Sequence, residues 1–179
     1  MAERSVRHGR GEARLIAVRL FVRALVGIVM LLGGAAIAHA QGALPIPRFV
    51  SLRSHEVNVR TGPGMQYPVV WVFVREGLPV EVIATFDVWR KVRDIDGIEG
   101  WVHQNLLSGD RMAIILGSEV RTLTRTADPT STVVVQAEPG VVAHILECGG
   151  AVCRLDVGGH KGWLPRAQLW GAYPNESLK

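Results

Sequence analysis

The apolar residues of this chain come in runs of four to six, among them VVWVFV (69–74), PVEVIA (79–84), TVVVQA (132–137) and VVAHIL (141–146). Gly, Pro, Asp and Asn separate the runs, and beyond residue 40 no segment keeps a helical period over ten or more positions. Short apolar runs rich in β-branched residues and bounded by turn formers predict strands joined by tight turns. The turns fall at GPG (62–64), DIDG (94–97), EPG (138–140) and VGGHKG (157–162), where Gly, Pro and Asp supply backbone geometries that other residues resist. The pattern is all-β.

The strand pattern is written twice. EGWVHQNLLSG (99–109) returns as KGWLPRAQLWG (161–171), 62 positions later, with Gly-Trp, an aliphatic residue, Leu and Gly in the same places. The repeat extends upstream: Val59 matches Leu123, the Gly77 turn matches the Gly140 turn, and WRKVRDIDGIEGW matches VCRLDVGGHKGW with one residue deleted. Two units follow, 49–109 and 111–171, after a Pro-containing linker at 41–48 and before a tail at 172–179. Prolines so closely spaced cannot feed a sheet ladder. Units of about 60 residues bury only about 60% of their unfolded-chain surface and are marginal alone. Only Asp110 separates the copies, so they are expected to touch.

Charge redraws the picture at the N-terminus. Arg4, Arg7, Arg10, Arg14, Arg19 and Arg23 precede an apolar stretch at 24–38, which ends in small residues at Ala38 and Ala40. A basic leader, an apolar stretch and a small-residue site are the parts of a secretory signal, with cleavage expected after Ala40. The stretch falls short of the roughly 20 residues that span a bilayer, so the mature form is not expected to span a membrane. From Gln41 onward acids and bases balance. A neutral mature chain lacks the basic footprint that nucleic-acid binding needs, and no nucleic-acid partner is expected. Export places the mature chain in the periplasm, where a disulfide persists.

The segments VNVRTGPGMQYPVV, GLPVEVIATFDVWRKVRD, EGWVHQNLLSG and CGGAVCRLDVGGHKGW together resemble the bacterial SH3-like domains of exported proteins, in the tandem form found in small periplasmic proteins of alphaproteobacteria. The resemblance covers nearly all of 49–173. It implies two small SH3-like β-barrels and a binding function in a cell-wall or surface setting, without naming one ligand. Copy two departs from the pattern where NVRTGPG (58–64) becomes TLTRTAD (122–128) and both loop glycines are lost.

Several side chains could carry chemistry. Cys148 and Cys153 flank a GGAV hairpin tip, where antiparallel neighbours come close enough for a disulfide. No second pair of ligands accompanies them, so no metal site is expected. His55, His103, His144 and His160 stand beside no nucleophile in sequence, and no catalytic residue or cofactor is expected. Gly100–Trp101 and Gly162–Trp163 read as core, each Trp closing one barrel while the Gly lets a neighbouring backbone approach. Arg60, Tyr67, Trp71 and Trp89 have no aromatic or Arg counterpart in copy two. That asymmetry marks them as ligand-binding candidates, with a slightly different core in copy one as the alternative for Trp71 and Trp89. The expected function is a non-catalytic envelope module that recognises peptidoglycan or an extended peptide of a partner. A structural subunit of an envelope assembly and a cell-wall hydrolase are the alternatives.

Overall fold

The computed structural model describes residues 44–179; the expected leader and its cleavage site lie outside the described residues. Copy one contains β1 (Arg48–Leu52), β2 (Val57–Arg60), β3 (Val69–Phe73), β4 (Pro79–Phe86), β5 (Trp89–Arg93), β6 (Glu99–His103) and β7 (Leu107–Ser108). Copy two contains β8 (Met112–Ile115), β9 (Arg121–Thr124), β10 (Val133–Ala137), β11 (Val142–Gly149), β12 (Val152–Val157), β13 (His160–Pro165) and β14 (Leu169–Trp170). A 3-10 turn precedes the last strand of each copy, at Gln104–Leu106 and Arg166–Gln168.

Each copy is one antiparallel sheet of seven strands, in the orders β3-β2-β6-β5-β4-β1-β7 and β10-β9-β13-β12-β11-β8-β14. The two orders are the same connectivity, and the fold is two SH3-like β domains. The repeat reaches single hydrogen bonds. Leu52 and Gly77 pair through Gly77 N to Leu52 O at 2.9 Å, and Ile115 and Gly140 pair in the same way at 2.8 Å. Gly77 and Gly140 have φ of +76° and +84°, a left-handed conformation that glycine adopts without steric cost. The same turn is thus made twice by the same residue type.

Strand alternation builds two separate cores. Leu52, Val57, Val59, Phe73, Val80, Val82, Val92 and Val102 pack in copy one; Ile115, Leu123, Ile145, Cys148, Cys153, Leu155, Leu164 and Leu169 pack in copy two. Cys148 and Cys153 face each other across the β11–β12 hairpin and form a disulfide, fully buried within the second core.

The copies also touch. Phe49 of β1 packs its ring edge-on against Trp170, centroids 5.0 Å apart, and at 4.8 Å against Tyr173 of the tail. The Tyr173 hydroxyl donates to Glu81 Oε1 at 2.7 Å, and the Arg93 guanidinium holds the other Glu81 oxygen at 2.6 Å. Glu81 is buried, so both bonds are needed to offset the cost of removing a carboxylate from water. Burial first, and then the Glu81 carboxylate, push the Tyr173 hydroxyl well above its ordinary pKa, so it stays a donor. Arg111 fastens the tail from below, pairing with Glu176 at 2.5 Å and donating to Gly171 O at 2.8 Å. The tail ends in an antiparallel bridge between Leu178 and Cys148.

Two expectations about the Gly-Trp pairs separate here. Gly100 and Gly162 are buried against the neighbouring strands. A Cβ on Gly100 would overlap Val59 Cγ1 and lie 3.0 Å from Arg60 O, and one on Gly162 would lie 2.7 Å from Leu123 Cβ. Trp101 and Trp163, expected to close the cores, are instead half-buried and belong to neither core. The reason is parity. Side chains alternate between sheet faces, Gly100 and Val102 take the inner face of β6, and Trp101 between them is sent to the outer one. Gly162, Trp163 and Leu164 repeat the arrangement in β13.

Candidate functional site

Of the four proposed ligand contacts, one faces solvent freely. Trp71 lies on β3 and is 46% exposed, with one ring edge against Phe73 at 6.5 Å. Trp89 does not: it is 8% exposed and stands edge-on to His103 with ring centroids 5.4 Å apart. β5 and β6 pair in a register that places Trp89 directly opposite His103, so the indole fills space between strands and is withdrawn from the ligand candidates. Arg60 is spent on its own loop. Its Nη1 donates to Tyr67 O at 2.7 Å and to Met65 O at 3.2 Å, holding the 61–68 turn closed. The Tyr67 ring lies over Gly62, where a Cβ would come within 2.5 Å of the ring. Tyr67 keeps 39% of its surface exposed, but Arg60 and Tyr67 serve first as the frame of that loop. The four residues therefore do not converge on one site.

The surface around Trp71 has a different basis, which residue-by-residue reading missed. β3 ends its sheet and pairs on one side only, with β2. Its segment from Pro68 to Val74 carries no charge. Val70, Val72 and Val74 are 53%, 38% and 77% exposed, although strand-forming apolar residues of this kind ordinarily go inside. Natural edge strands are commonly blunted by charge, Pro or bulges, because unpaired N–H and C=O groups template pairing with another chain. β3 carries one extra residue, Val70, where its register with β2 shifts between Val59 and Arg60, but nothing charged along its length. Beneath the strand, Trp71, Phe73, Leu78, Ile95 and Ile114 line a cleft of about 260 Å³, with Arg75 and Asp96 at its mouth. Arg75 donates to Gly140 O at 3.2 Å. Asp94, which is buried, accepts from Asp96 N and Ile98 N and fixes the 94–97 turn that forms the far wall. The available signal was the uncharged run VVWVFV itself, which had been read only as a strand.

Among the described residues no group of three His, Cys, Asp or Glu side chains is placed to hold a metal ion. Both cysteines are in the disulfide. His103 Nδ1 accepts from Asn105 N at 3.2 Å, capping the 3-10 turn. Among the described residues no helix is long and apolar enough to cross a membrane.

Among solved structures, the chain is similar to NlpC2 of Trichomonas vaginalis at 12% identity over 72% of this chain and 49% of that one, TM-score 0.33. It is similar to NlpC1 of the same organism at 13% identity over 75% and 49%, TM-score 0.32. The chain thus spans about half the length of these structures. No protein of curated function matches it. The bacterial SH3 domain family model matches twice, at residues 53–109 and 121–171. The match takes in more than half of the chain and covers six of the seven strands of each sheet, and the chain belongs to the bacterial SH3 domain family.

Proposed function

We propose that this protein is an exported, non-catalytic binding module of the cell envelope, and that it takes an extended peptide segment of a partner protein by strand addition to β3. The observation that carries this reading is a five-residue edge strand, uncharged and exposed along four of its residues. An added strand would draw affinity from main-chain hydrogen bonds and specificity from pockets for alternate side chains. The cleft under Trp71 is such a pocket. Membership of a family of binding domains and a buried disulfide, which persists in oxidising compartments, support the envelope setting. Export with cleavage after Ala40 belongs to the same proposal, and the mature protein then begins at Gln41.

The test is selection from a library of extended peptides, followed by titration of the selected sequence. Binders should show apolar residues at alternate positions, and Val72→Lys should weaken them at least about tenfold, the effect of losing a central contact, with the thermal melt unchanged. Selected peptides that bind Val72→Lys as tightly would overturn strand addition, whether or not the protein is retained on protein-free murein sacculi. New muropeptides released from those sacculi would overturn the non-catalytic reading.

A further inference from the structure

The two copies differ most around their outward Trp residues. Strand register makes the equivalences unambiguous. Arg60 pairs with Trp101 and Thr124 with Trp163; Trp89 pairs with His103 and Val152 with Pro165. The loops 61–68 and 125–132 have equal length, and each is closed at its base by the same backbone bond, Thr61 N to Pro68 O and Arg125 N to Thr132 O. Tyr67 therefore corresponds to Ser131. At four equivalent places copy one has Arg60, Tyr67, Trp89 and His103, and copy two has Thr124, Ser131, Val152 and Pro165. A packed ring pair, Trp89 on His103, and the two loop-framing side chains Arg60 and Tyr67 are all replaced by smaller residues.

Three of these smaller residues, Thr124, Val152 and Pro165, border open space. A cleft of about 440 Å³ runs beside Trp163, its walls formed by Thr124, Val133, Val152, Pro165 and Gln168 among others. That volume lies in the range of small-molecule sites, ~300–1,000 Å³. Trp163 is half-buried, and among the described residues no aromatic ring packs on it.

We infer that this cleft is a binding site for a neutral saccharide, with Trp163 as the stacking face. Three features select that ligand class. The lining contains one ionisable side chain, Arg121, whose Nε donates to Leu116 O at 2.9 Å, and no carboxylate, so a cationic ligand would lose water without gaining an opposite charge. The polar groups are the hydroxyls of Thr122 and Thr124 and the amide of Gln168. Thr124 Oγ1 donates to Thr126 O at 2.8 Å and keeps its lone pairs to accept from a ligand hydroxyl. Finally, β9 and β13, which carry Thr122, Thr124 and Trp163, are interior strands paired on both sides. They meet at the single pair Trp163–Thr124, so the cleft opens on a sheet face and is lined mainly by side chains. An indole face with neutral hydroxyl and amide groups around it suits a sugar ring, which is apolar on its faces and hydroxylated at its rim. The site is independent of β3.

The experiment titrates the mature protein with a neutral N-acetylglucosamine tetramer and, separately, with its deacetylated, cationic form, following indole N–H resonances by NMR. The Trp163 signal is assigned from Trp163→Phe. The tetramer should shift Trp163 and leave Trp89 and Trp71 in place, and the cationic form should bind at least several-fold more weakly. Val152→Trp combined with Pro165→His installs the packed pair of copy one and should cut affinity at least about tenfold. Should that variant fail to fold, Thr122→Ala and Gln168→Ala trim the rim and should each weaken binding several-fold. Val72→Lys should leave saccharide binding unchanged, which separates this site from the β3 reading. Absence of any Trp163 shift at millimolar tetramer, equal binding of the cationic form, or binding that the filled or trimmed clefts do not weaken overturns the assignment.

Discussion

Tyr173→Phe removes one oxygen atom and tests whether the tail fastens the two copies together. In the folded protein that oxygen donates to Glu81 Oε1 at 2.7 Å, and the ring packs on Phe49. Phe keeps the ring contact, so the substitution isolates the hydrogen bond. Glu81 is 8% exposed and keeps its bond to Arg93. The loss is therefore that of a charge-assisted bond whose acceptor stays buried and charged, about 1.5–3 kcal/mol. Partial access of water to Tyr173, which is half-buried, favours the lower end. At about 1.5 kcal/mol the melting temperature should fall by roughly 4–8 °C, intermediate between the scalings for small and larger domains. Urea unfolding followed by circular dichroism gives the free energy directly, and an unchanged m-value shows that only stability has moved. In a Glu81→Gln background, where the acceptor is neutral, Tyr173→Phe should cost about half as much, because neutral bonds are about half as strong. A change below about 0.3 kcal/mol in the wild-type background, within the additivity error of distant sites, would refute the reasoning and make the tail a passive neighbour of copy one.

The same contacts and turns give further expectations. Glu176 is pushed up by burial, but the hydrogen bonds and charge of Arg111 and the Tyr173 N–H outweigh this and hold its pKa below the ordinary value. A folded-state pKa below the unfolded one means stability that is present above the unfolded value and lost as pH falls through the folded one. Melts between pH 6 and pH 3 should therefore show an acid loss that Glu176→Gln reduces, with the remainder left to carboxylates such as Glu99 and Asp128 whose values are also held down. Replacing Cys148 and Cys153 together by Ser opens a loop with sequence separation 5 and should cost about 2 kcal/mol on the chain-entropy account, read by urea unfolding. Gly100→Ala forces a methyl group into Val59 and should cost about 1–3 kcal/mol as overpacking, whereas Asn105→Ala, on an exposed 3-10 turn, should stay within about 0.5 kcal/mol in the same assay.

What the chain disclosed about itself divides along physical lines. Hydrophobic runs of four to six and a repeated Gly-Trp phrase were enough for an all-β chain in two copies, because period and turn chemistry are local and both copies obey them, while the SH3-like fold came from the family resemblance. The disulfide was legible for the same reason, as a hairpin brings Cys148 and Cys153 into register whatever surrounds them. Size, by contrast, was a poor guide to burial. Trp101 and Trp163 read as core on bulk, yet Val102 and Leu164, one position on, hold the inner face. Parity was present in the sequence: a Gly packed under a neighbouring strand commits its own face to the inside and its successor to the outside. Trp89 failed in the opposite direction, since its burial depends on His103 standing across a register that no local pattern announces.

The absence of counterparts for Arg60, Tyr67 and Trp89 in copy two has a different consequence from the one expected. Unmatched large residues were expected to project a binding surface from copy one. They pack on their own loop and strands instead, and an open cleft is lined by Thr124 and Val152, the equivalents of Arg60 and Trp89. Close packing explains why the inference turns over. Interiors tolerate few voids, so a large side chain beside a half-buried Trp tends to be consumed by packing, and its loss from a duplicate leaves room at the same place. Duplication also makes such a loss affordable in stability, because each copy has its own core and the interlock through Tyr173 and Glu81 is spared. One copy can then keep the outer face of its sheet filled and offer its edge strand, while the other opens that face to a ligand.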